Sequence, residues 1–372
     1  MTGPIVAIDC SPLLVRSAGI KTYLYHWTKA MRALSPATIR TFLAPPHLDE
    51  LEHGVGGPRT HPAQIAVLLA LNRLPGIFCD AAIPRCDIFH ISGLLRQPPH
   101  RPRLTATMHD LSAWLLPECH MPKVVAAEKI FAERVFRRAA GIMADSENTR
   151  RDAIQILGLS PEKIHVIHLG VPSQYFCVSR ESIDRVGKAY GLQRPYLLFV
   201  GTIEPRKNVD TLLTAWEALP DSFRQENELV LAGMPGWRSE ATMNRLLQAN
   251  RDGAGVRYLN YVPEADLPAL TAGAEAFVYP SLYEGFGIPV VQAMATGCPV
   301  ITSNVSCLPE ITGPAALLVD PRSVSELTCA IRSVLESEAL RQRLRTASLA
   351  QGAQYTWQAT AEQSLKFFAS LQ

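Results

Sequence analysis

The stretch AFVYPSLYEGFGIPVVQAMA, residues 276–295, combines a short apolar run, a loop with two glycines and a helix-like apolar pattern. Its first four residues are aromatic, β-branched or small, which favours a buried strand. Gly285 and Gly287 free the backbone of the loop, and Pro289 suits the first turn of a helix. The stretch therefore predicts a strand, a loop and a helix, the repeating unit of a parallel α/β sheet.

The same alternation recurs through both halves of the chain. In the first half it predicts strands at 5–9, 38–43, 87–92, 104–108, 141–145 and 165–169, with helices at 19–34, 123–138 and 146–157. In the second half it predicts strands at 196–201, 229–232, 256–259, 276–279, 299–302 and 316–319, with helices at 209–219, 240–250, 264–272, 289–295, 324–335, 339–351 and 356–371. The fold class is α/β, with two doubly wound, Rossmann-like domains, 1–178 and 190–355, facing a cleft at the carboxyl ends of their strands.

The composition is that of a folded globular chain. Of 372 residues, 47% are hydrophobic and 19% are charged, which excludes a disordered or collagen-like protein. The 36 Lys and Arg residues against 34 Asp and Glu residues give a formal charge of +2. Such a balance provides no strong field for a polyanion, so we expect no nucleic-acid partner.

The sequence also carries expectations about location and metals. Eight cysteines are scattered without a C-x-x-C pair or a Cys and His cluster, which predicts reduced thiols and no metal site. The N-terminus lacks the features of a signal peptide, and polar residues interrupt the most apolar stretch, 65–83. We therefore expect a cytoplasmic protein whose membrane contact, if there is one, is peripheral.

Two loops of the second half carry candidate chemistry. Glu284 is an acceptor for ligand hydroxyls beside a helix start, although a glycine-rich turn that only reverses the chain is the alternative interpretation. Arg206 and Lys207 follow the strand at 196–201, with Asn208 as an N-cap of the next helix. They offer positive charge for a diphosphate, or they are an ordinary solvated pair; their position at the same sheet edge as Glu284 favours the first interpretation.

The first half contributes two further candidates. Gly19 opens a helix after the first strand and permits close approach of a ligand to the backbone. His109 ends a later strand next to Asp110, where it either serves the reacting centre or forms a structural hydrogen-bonded pair. The sequence has no Asp-x-Asp triplet, P-loop, G-x-S-x-G elbow or G-x-G-x-x-G after its first strand. These absences argue against a P-loop NTPase, a serine hydrolase and a dinucleotide oxidoreductase, and leave cationic side chains to neutralise a diphosphate.

Taken together, these motifs resemble the retaining family-4 glycosyltransferases of GT-B fold, the group 1 glycosyltransferases. The resemblance is carried by residues 284–289, 292–295, 201–208, 145–152, 161–171, 261–267 and 355–357. It implies a nucleotide-sugar substrate rather than a cofactor, no metal, and a last helix, 356–372, that crosses back to the first domain. It also implies a front-face transfer that retains the anomeric configuration, from GDP-mannose or a UDP-hexose to a glycan or lipid-linked acceptor in polysaccharide biosynthesis.

The resemblance assigns roles to individual residues. The catalytic group it implies comprises His109, Arg206, Lys207 and Glu284. The donor-binding group it implies comprises Gly19, Val262, Ser281, Phe286, Gly287, Ile288 and Gln292. The chain departs from the family pattern at Gln292, where a second carboxylate is usual, and at Lys21-Thr22, where many members have Gly-Arg. The Gln292 departure predicts altered nucleotide binding.

Two other functions stay open at this point. A sugar-nucleotide epimerase has a related two-domain architecture, although its acids and bases are not evident in these motifs. A catalytically silent nucleotide-sugar-binding partner subunit is favoured only by Gln292. The helix at 123–138, with Lys123, Lys129, Arg134, Arg137 and Arg138, either contacts an anionic membrane at the inner face or packs on the sheet with its charges solvated.

Overall fold

The computed structural model describes residues 3–15, 19–45, 61–253 and 255–372. The chain divides into two compact units. The first comprises Met1–Trp114, Pro122–Gly170 and Thr356–Gln372, and the second comprises Leu115–Met121 and Val171–Tyr355. Each unit contains one parallel sheet with helices, which confirms the α/β class predicted from the alternation of strands and helices.

In the first unit, the described residues form a sheet of six parallel strands in the order β2-β1-β3-β4-β5-β6. The strands are β1 (Val6–Asp9), β2 (Ile39–Phe42), β3 (Ile88–Ile91), β4 (Arg103–Met108), β5 (Gly141–Ala144) and β6 (Ile164–Val166). Strands β1, β3 and β5 are buried along their whole length, as expected for strands covered on both faces.

The helices of the first unit cover this sheet. They are α1 (Gly19–Leu34), α2 (Pro62–Arg73), α3 (Gly76–Ala82), α4 (Ser112–Leu115), α5 (Pro122–Phe131) and α6 (Glu147–Leu157). Leu68, Cys79 and Phe131 share one hydrophobic cluster, so α2, α3 and α5 pack on the same side of the sheet. Helix α6 has the predicted caps: the Ser146 hydroxyl accepts a hydrogen bond from the Thr149 amide, and Gly158 adopts a left-handed conformation.

In the second unit, the described residues form a second sheet of six parallel strands, in the order β12-β11-β10-β7-β8-β9. The strands are β7 (Tyr196–Val200), β8 (Glu228–Ala232), β9 (Val256–Asn260), β10 (Ala276–Tyr279), β11 (Val300–Ser303) and β12 (Ala316–Val319). The order reverses at β7, whose neighbours are β10 and β8. Such a switch point is where ligands bind in open α/β sheets.

The helices of the second unit begin with one that precedes β7, and the others lie between or after the strands. They are α7 (Arg180–Ala189), α8 (Val209–Glu217), α9 (Asp221–Glu226), α10 (Glu240–Arg251), α11 (Leu267–Ala272), α12 (Ile288–Ala295), α13 (Leu308–Thr312), α14 (Val324–Glu336) and α15 (Glu338–Gly352). Helix α12 is the helix that the stretch 276–295 predicts, and Pro289 lies in its first turn.

The last helix, α16 (Trp357–Ser370), belongs to the first unit, as the family resemblance implies. The Thr356 hydroxyl caps it by accepting from the Ala359 amide. The Trp27 indole nitrogen of α1 donates to the Ser364 hydroxyl at 2.9 Å, and both residues are buried. A Cβ on Gly170 would lie 2.2 Å from the Trp357 backbone nitrogen, so only glycine allows the chain to pass so close to the start of α16.

The structure differs from several predicted elements. The strand predicted at 165–169 is β6, Ile164–Val166, because its partner β5 ends at Ala144 and offers no further pairing. The helix predicted at 123–138 is α-helical only through Phe131 and continues as a wider π-type turn, Ala132–Phe136. This turn brings the Phe131 and Phe136 rings within 5.1 Å in the core.

Other elements were not predicted. Helix α7 lies in the segment 173–194, where the sequence indicated only a polar junction. It was missed because Val186 is its one fully buried side chain, which leaves little apolar pattern to detect. Segment Leu115–Met121 belongs to the second unit, although predicted first-domain elements flank it on both sides. It is fixed there by the Trp237 indole nitrogen, which donates to the Cys119 carbonyl at 2.6 Å.

Candidate active site

The candidate site lies where the loops after β7 and β10 meet. Because these strands are neighbours, the loops leave the same edge of the sheet side by side. The Arg206 carbonyl accepts a hydrogen bond from the Leu282 amide at 2.8 Å. This contact joins the two loops at one sheet edge, where the sequence predicts that Arg206, Lys207 and Glu284 lie.

Four charged side chains form the centre of the site. This charge cluster consists of Glu204, Arg206, Lys207 and Glu284. Arg206 bridges the two carboxylates, with Nη2 3.0 Å from Glu204 Oε1 and Nη1 2.9 Å from Glu284 Oε2. Lys207 Nζ lies 2.6 Å from Glu284 Oε1. All four side chains are at most 13% exposed, so solvent screens their interactions weakly.

The local electrostatics fix the charge of Glu284. Burial alone would raise the pKa of this carboxyl, but Arg206 and Lys207 outweigh burial and lower it to about 2. Burial, together with the neighbouring Arg206, lowers the pKa of Lys207, and Glu284 partly offsets this. Glu284 is therefore a fixed anion at neutral pH, held by two cations.

Neutral groups also form hydrogen bonds with the charged side chains of the cluster. The Ser281 hydroxyl donates to Glu284 Oε1 at 2.7 Å, and Lys207 Nζ donates to the Tyr279 hydroxyl at 2.7 Å. The Glu284 amide donates to the Ser306 hydroxyl at 3.1 Å. Ser281 is a residue that sequence reasoning had placed at the site. Sequence reasoning missed Tyr279, Glu204 and Ser306. The available signal for Tyr279 and Glu204 was their position beside the motifs that contain Glu284 and Arg206.

Two expectations about this region need correction. Arg206 and Lys207 were expected to offer open positive charge, but both are already engaged by Glu284. Asn208 was expected to cap α8, but its side chain makes no cap hydrogen bond. Its left-handed backbone directs the amide nitrogen to the Pro280 and Pro321 carbonyls, at 3.0 and 2.7 Å, so Asn208 ties the β7 loop to the β10 loop instead.

The remaining second-unit candidates lie around the same sheet edge. Gly287 has φ 85°, a left-handed conformation that glycine adopts without strain, and it starts α12. Phe286 is buried with its ring edge-on to Tyr355 at 5.6 Å. Ile288 and Gln292 are half-buried on α12. Val262 is buried after β9, on the other side of β7 from Glu284 in the strand order.

The first-unit candidates are His109 and Gly19. His109 Nδ1 lies 2.8 Å from Asp145 Oδ2, whereas Asp110 accepts hydrogen bonds from the Ser112 amide and hydroxyl instead. Sequence adjacency had suggested Asp110 as the partner. Burial disfavours the imidazolium, but Asp145 outweighs burial and raises the pKa of His109.

The other ring nitrogen of His109, Nε2, is buried and makes no hydrogen bond to the described residues. The Tyr23 ring packs edge-on against the imidazole, with 4.9 Å between ring centroids. Gly19 is the first residue of α1, and a Cβ built on it would meet no described heavy atom within 4 Å.

The described residues also bear on metal binding and membrane insertion. Across residues 3–15, 19–45, 61–253 and 255–372, no group of three or more His, Cys, Asp and Glu residues is arranged to hold a metal ion. None of the helices in those ranges is both long and apolar enough to cross a membrane. All eight cysteines are free thiols, five of them buried.

Both halves of the chain match known glycosyltransferase families. Residues 17–175 match the Glycosyltransferase Family 4 profile and residues 182–350 match the profile of the Glycosyl transferases group 1. The O-antigen chain mannosyltransferase B of Escherichia coli is 36% identical over 276 residues, which cover 73% of this chain and 72% of the relative. The protein is a glycosyltransferase.

Solved structures agree on the fold. Sucrose-phosphate synthase from Thermosynechococcus elongatus superimposes with a TM-score of 0.75 at 21% identity, covering 98% of both chains. Anabaena HepE, solved in complex with UDP and glucose, superimposes with a TM-score of 0.72 at 17% identity, covering 99% of this chain and 100% of HepE. The chain has the GT-B fold and belongs to the group 1, family-4 glycosyltransferases.

Proposed function

We propose that the protein is a retaining hexosyltransferase that uses a nucleotide-sugar donor and needs no metal ion. The observation that carries this proposal is the charge cluster, in which two buried cations and Glu284 occupy the switch point of the second sheet. Arg206 and Lys207 supply the positive charge that a diphosphate leaving group requires. Glu284 and Ser281 supply oxygen atoms for the hydroxyls of the donor sugar.

In the proposed reaction the acceptor hydroxyl attacks the anomeric carbon on the face from which the diphosphate leaves. The bond from the anomeric carbon to the phosphate oxygen breaks while the bond to the acceptor oxygen forms. The hydroxyl proton passes to the departing phosphate oxygen. The acceptor oxygen is the nucleophile, and no side chain takes that role. His109, whose buried Nε2 has no hydrogen-bond partner among the described residues, contributes a hydrogen bond or positive charge near the reacting centre.

The other candidate residues serve donor binding in this proposal. Val262 contacts the base, Gln292 the ribose, and the backbone around Phe286, Gly287 and Ile288 the sugar and phosphates. Gly19 allows the α1 start to approach the phosphates. Gln292 offers one acceptor and two donors to the ribose but lacks the charge of the usual carboxylate, so we expect weaker ribose binding than a carboxylate provides.

GDP-mannose and a UDP-hexose are the donors to test first. The relative in Escherichia coli is named an O-antigen chain mannosyltransferase, and HepE was solved with UDP and glucose. By the same analogy the acceptor is a hydroxyl of a glycan or a lipid-linked sugar, in polysaccharide biosynthesis. We place the activity in the cytoplasm, with the acceptor presented at the inner face of the membrane.

A thermal-shift screen tests the donor assignment. UDP, GDP, ADP and their sugar conjugates are compared in EDTA and then in magnesium, since a specific ligand raises the unfolding temperature according to its affinity. We expect one nucleotide to stabilise the protein in EDTA, with the shift lost in the Arg206→Ala, Lys207→Ala double variant. No shift with any nucleotide would contradict the proposal.

We also propose that the first unit contacts an anionic membrane through the outer side of α2, α3 and α5. Ile77 and Phe78 on α3 are 63% and 50% exposed, and Val124 and Ile130 on α5 are also exposed. Lys123 and Lys129 are exposed beside them, which suits acidic headgroups. Among the arginines expected to serve this role, Arg137 pairs with Glu133 and Arg138 with His100.

Vesicle co-sedimentation tests this membrane contact. At low salt we expect binding to vesicles that contain phosphatidylglycerol, loss of binding at high salt, and loss in the Ile77→Glu, Phe78→Glu variant. Leu349→Glu is the control, because Leu349 is 51% exposed on α15 of the second unit. Equal binding by the two variants, or no binding by the wild type at low salt, would refute the contact.

A further inference from the structure

Glu204 is a second buried carboxylate at the candidate site that the proposed mechanism leaves without a role. It precedes the short 3-10 turn Pro205–Lys207, and its side chain is 3% exposed. Its carboxylate binds Arg206 Nη2 at 3.0 Å, whereas Glu284 binds the other terminal nitrogen of the same guanidinium. Glu204 therefore competes with any incoming anion for Arg206.

The charges of the cluster cancel. Arg206 and Lys207 contribute two positive charges, and Glu204 and Glu284 contribute two negative charges when both are ionised. A donor brings about two further negative charges on its diphosphate, and the leaving group gains another as the sugar departs. A neutral cluster attracts such a ligand poorly, and loss of charge on one carboxylate gives the cluster a net positive charge toward the diphosphate.

Glu284 is poorly suited to lose its charge, since it binds Arg206, Lys207 and Ser281 together. Glu204 pairs with Arg206, and its carboxylate makes no second ion pair among the described residues. When Arg206 turns toward a diphosphate, the Glu204 carboxylate is left buried without a counter-ion, and an isolated buried carboxylate protonates rather than remain charged. When Arg206 keeps both partners, the added anion repels Glu204 and favours the same proton.

We infer that Glu204 takes up a proton from solvent when the donor diphosphate binds, and thereby releases Arg206 to stabilise the leaving group. The inference rests on the proposed function, because it requires a nucleotide-sugar at the charge cluster. Glu204 is then a positioning residue that acts through Arg206. It couples donor affinity to pH without touching the sugar.

The surroundings of Glu204 support this assignment. Burial raises the pKa of its carboxyl and Glu284 adds to this, while Arg206 and Lys207 oppose it. From the loop after β8, the backbone of Gly236 packs on it, with the Glu204 Cβ 3.3 Å from a Cβ built on Gly236. From segment 115–121, the Cys119 thiol lies close enough for Glu204 and Arg206 to influence its pKa, which burial raises.

Isothermal titration calorimetry measures the proton directly. GDP-mannose, with UDP-glucose as the second probe, is titrated at pH 7 in PIPES and in Tris, whose ionisation enthalpies differ. A nucleotide-sugar is the right probe because its diphosphate is a diester and does not titrate near neutral pH. The difference in heat between the buffers gives the number of protons taken up, for which we expect about one in the wild type.

The matched variants are Glu204→Gln and Glu228→Gln. The amide of Glu204→Gln keeps an acceptor for Arg206 but cannot take up a proton, so we expect no proton uptake and an affinity that is independent of pH. In the wild type we expect affinity to fall by up to about tenfold per pH unit as pH rises. Glu228 is equally buried between Arg194 and Arg257 at the opposite end of β8, so its variant should behave as the wild type does.

The outcomes separate the inference from the proposed function. Binding of either probe with equal heats in both buffers, or proton uptake that persists in Glu204→Gln, would overturn the role of Glu204 and leave the donor assignment standing. Binding of neither probe to the wild type would overturn the proposed donor class and the inference with it. If Glu204→Gln fails to fold, the wild-type proton count alone decides.

Discussion

Replacing Glu284 by Gln is expected to reduce sugar transfer by about 100- to 1,000-fold, the loss seen when one key electrostatic group is removed from an active site. The variant keeps an amide oxygen for the donor sugar but loses the charge that orients Arg206 and Lys207. Both cations are held by this carboxylate, at 2.9 and 2.6 Å. The measurement is kcat/KM for transfer, or for donor hydrolysis in the absence of acceptor.

The same substitution is expected to lower stability in a way that depends on pH. The folded pKa of Glu284 is about 2, below its ordinary value of 4.5, so its ion pairs contribute on the order of 3 kcal/mol. Because the folded pKa is the lower one, this contribution is present above pH 4.5 and is lost as pH falls toward 2. The Glu284→Gln variant should therefore lose less stability than the wild type between about pH 5 and about pH 2.5.

Glu228→Gln again provides the control. Glu228 is buried and paired with two arginines, as Glu284 is paired with two cations, but it lies at the amino end of β8, away from the site. We expect it to lower stability and leave transfer intact. Equal activity losses in the two variants would mean that the effect of Glu284 is structural rather than electrostatic.

Replacing Lys207 by Met is expected to abolish most of the activity and to lower stability, because it leaves the buried Glu284 carboxylate with one counter-ion. Burial and the neighbouring Arg206 lower the pKa of Lys207, so removing its charge offsets only part of this loss of stability. The lost cation no longer stabilises the leaving diphosphate, which corresponds to about a 100-fold loss or more in kcat. The nucleotide-induced rise in unfolding temperature should also shrink.

Arg257→Met is the matched variant for this second prediction. Arg257 pairs with a buried glutamate as Lys207 does, with its Nη2 2.7 Å from Glu228 Oε1. We expect full activity and an unchanged nucleotide shift in Arg257→Met. A Lys207→Met enzyme with wild-type kcat would remove Lys207 from the account of the leaving group.

The sequence was most informative about the sheet edges. Alternation of apolar runs and helical patterns predicted both sheets. The positions of Arg206, Lys207 and Glu284 after the strands β7 and β10 predicted that all three lie at the same sheet edge. It could not show that the three form ion pairs with one another, because side-chain pairing depends on the register of neighbouring strands. For the same reason Glu204 looked like part of a loop rather than part of a charge cluster.

Long-range pairings were the other limit. The partner of His109 is Asp145, 36 residues away and at the end of the neighbouring strand β5, while the adjacent Asp110 accepts hydrogen bonds from Ser112. Local spacing favours the adjacent residue and is wrong here. Similarly, α7 is a surface helix with one buried residue, so its apolar signal is too weak to distinguish it from a polar linker.

Turnover of a nucleotide-sugar in EDTA tests the central claim most directly. GDP-mannose and UDP-glucose are incubated with the wild-type enzyme and with Glu284→Gln, and release of the nucleoside diphosphate is followed by chromatography and the first-formed sugar by proton NMR. We predict release from one donor by the wild type, with the anomeric configuration retained, and a loss of at least about 100-fold in the variant. An inverted product would contradict the retaining mechanism. Equal turnover by the two proteins would contradict the proposed role of the charge cluster.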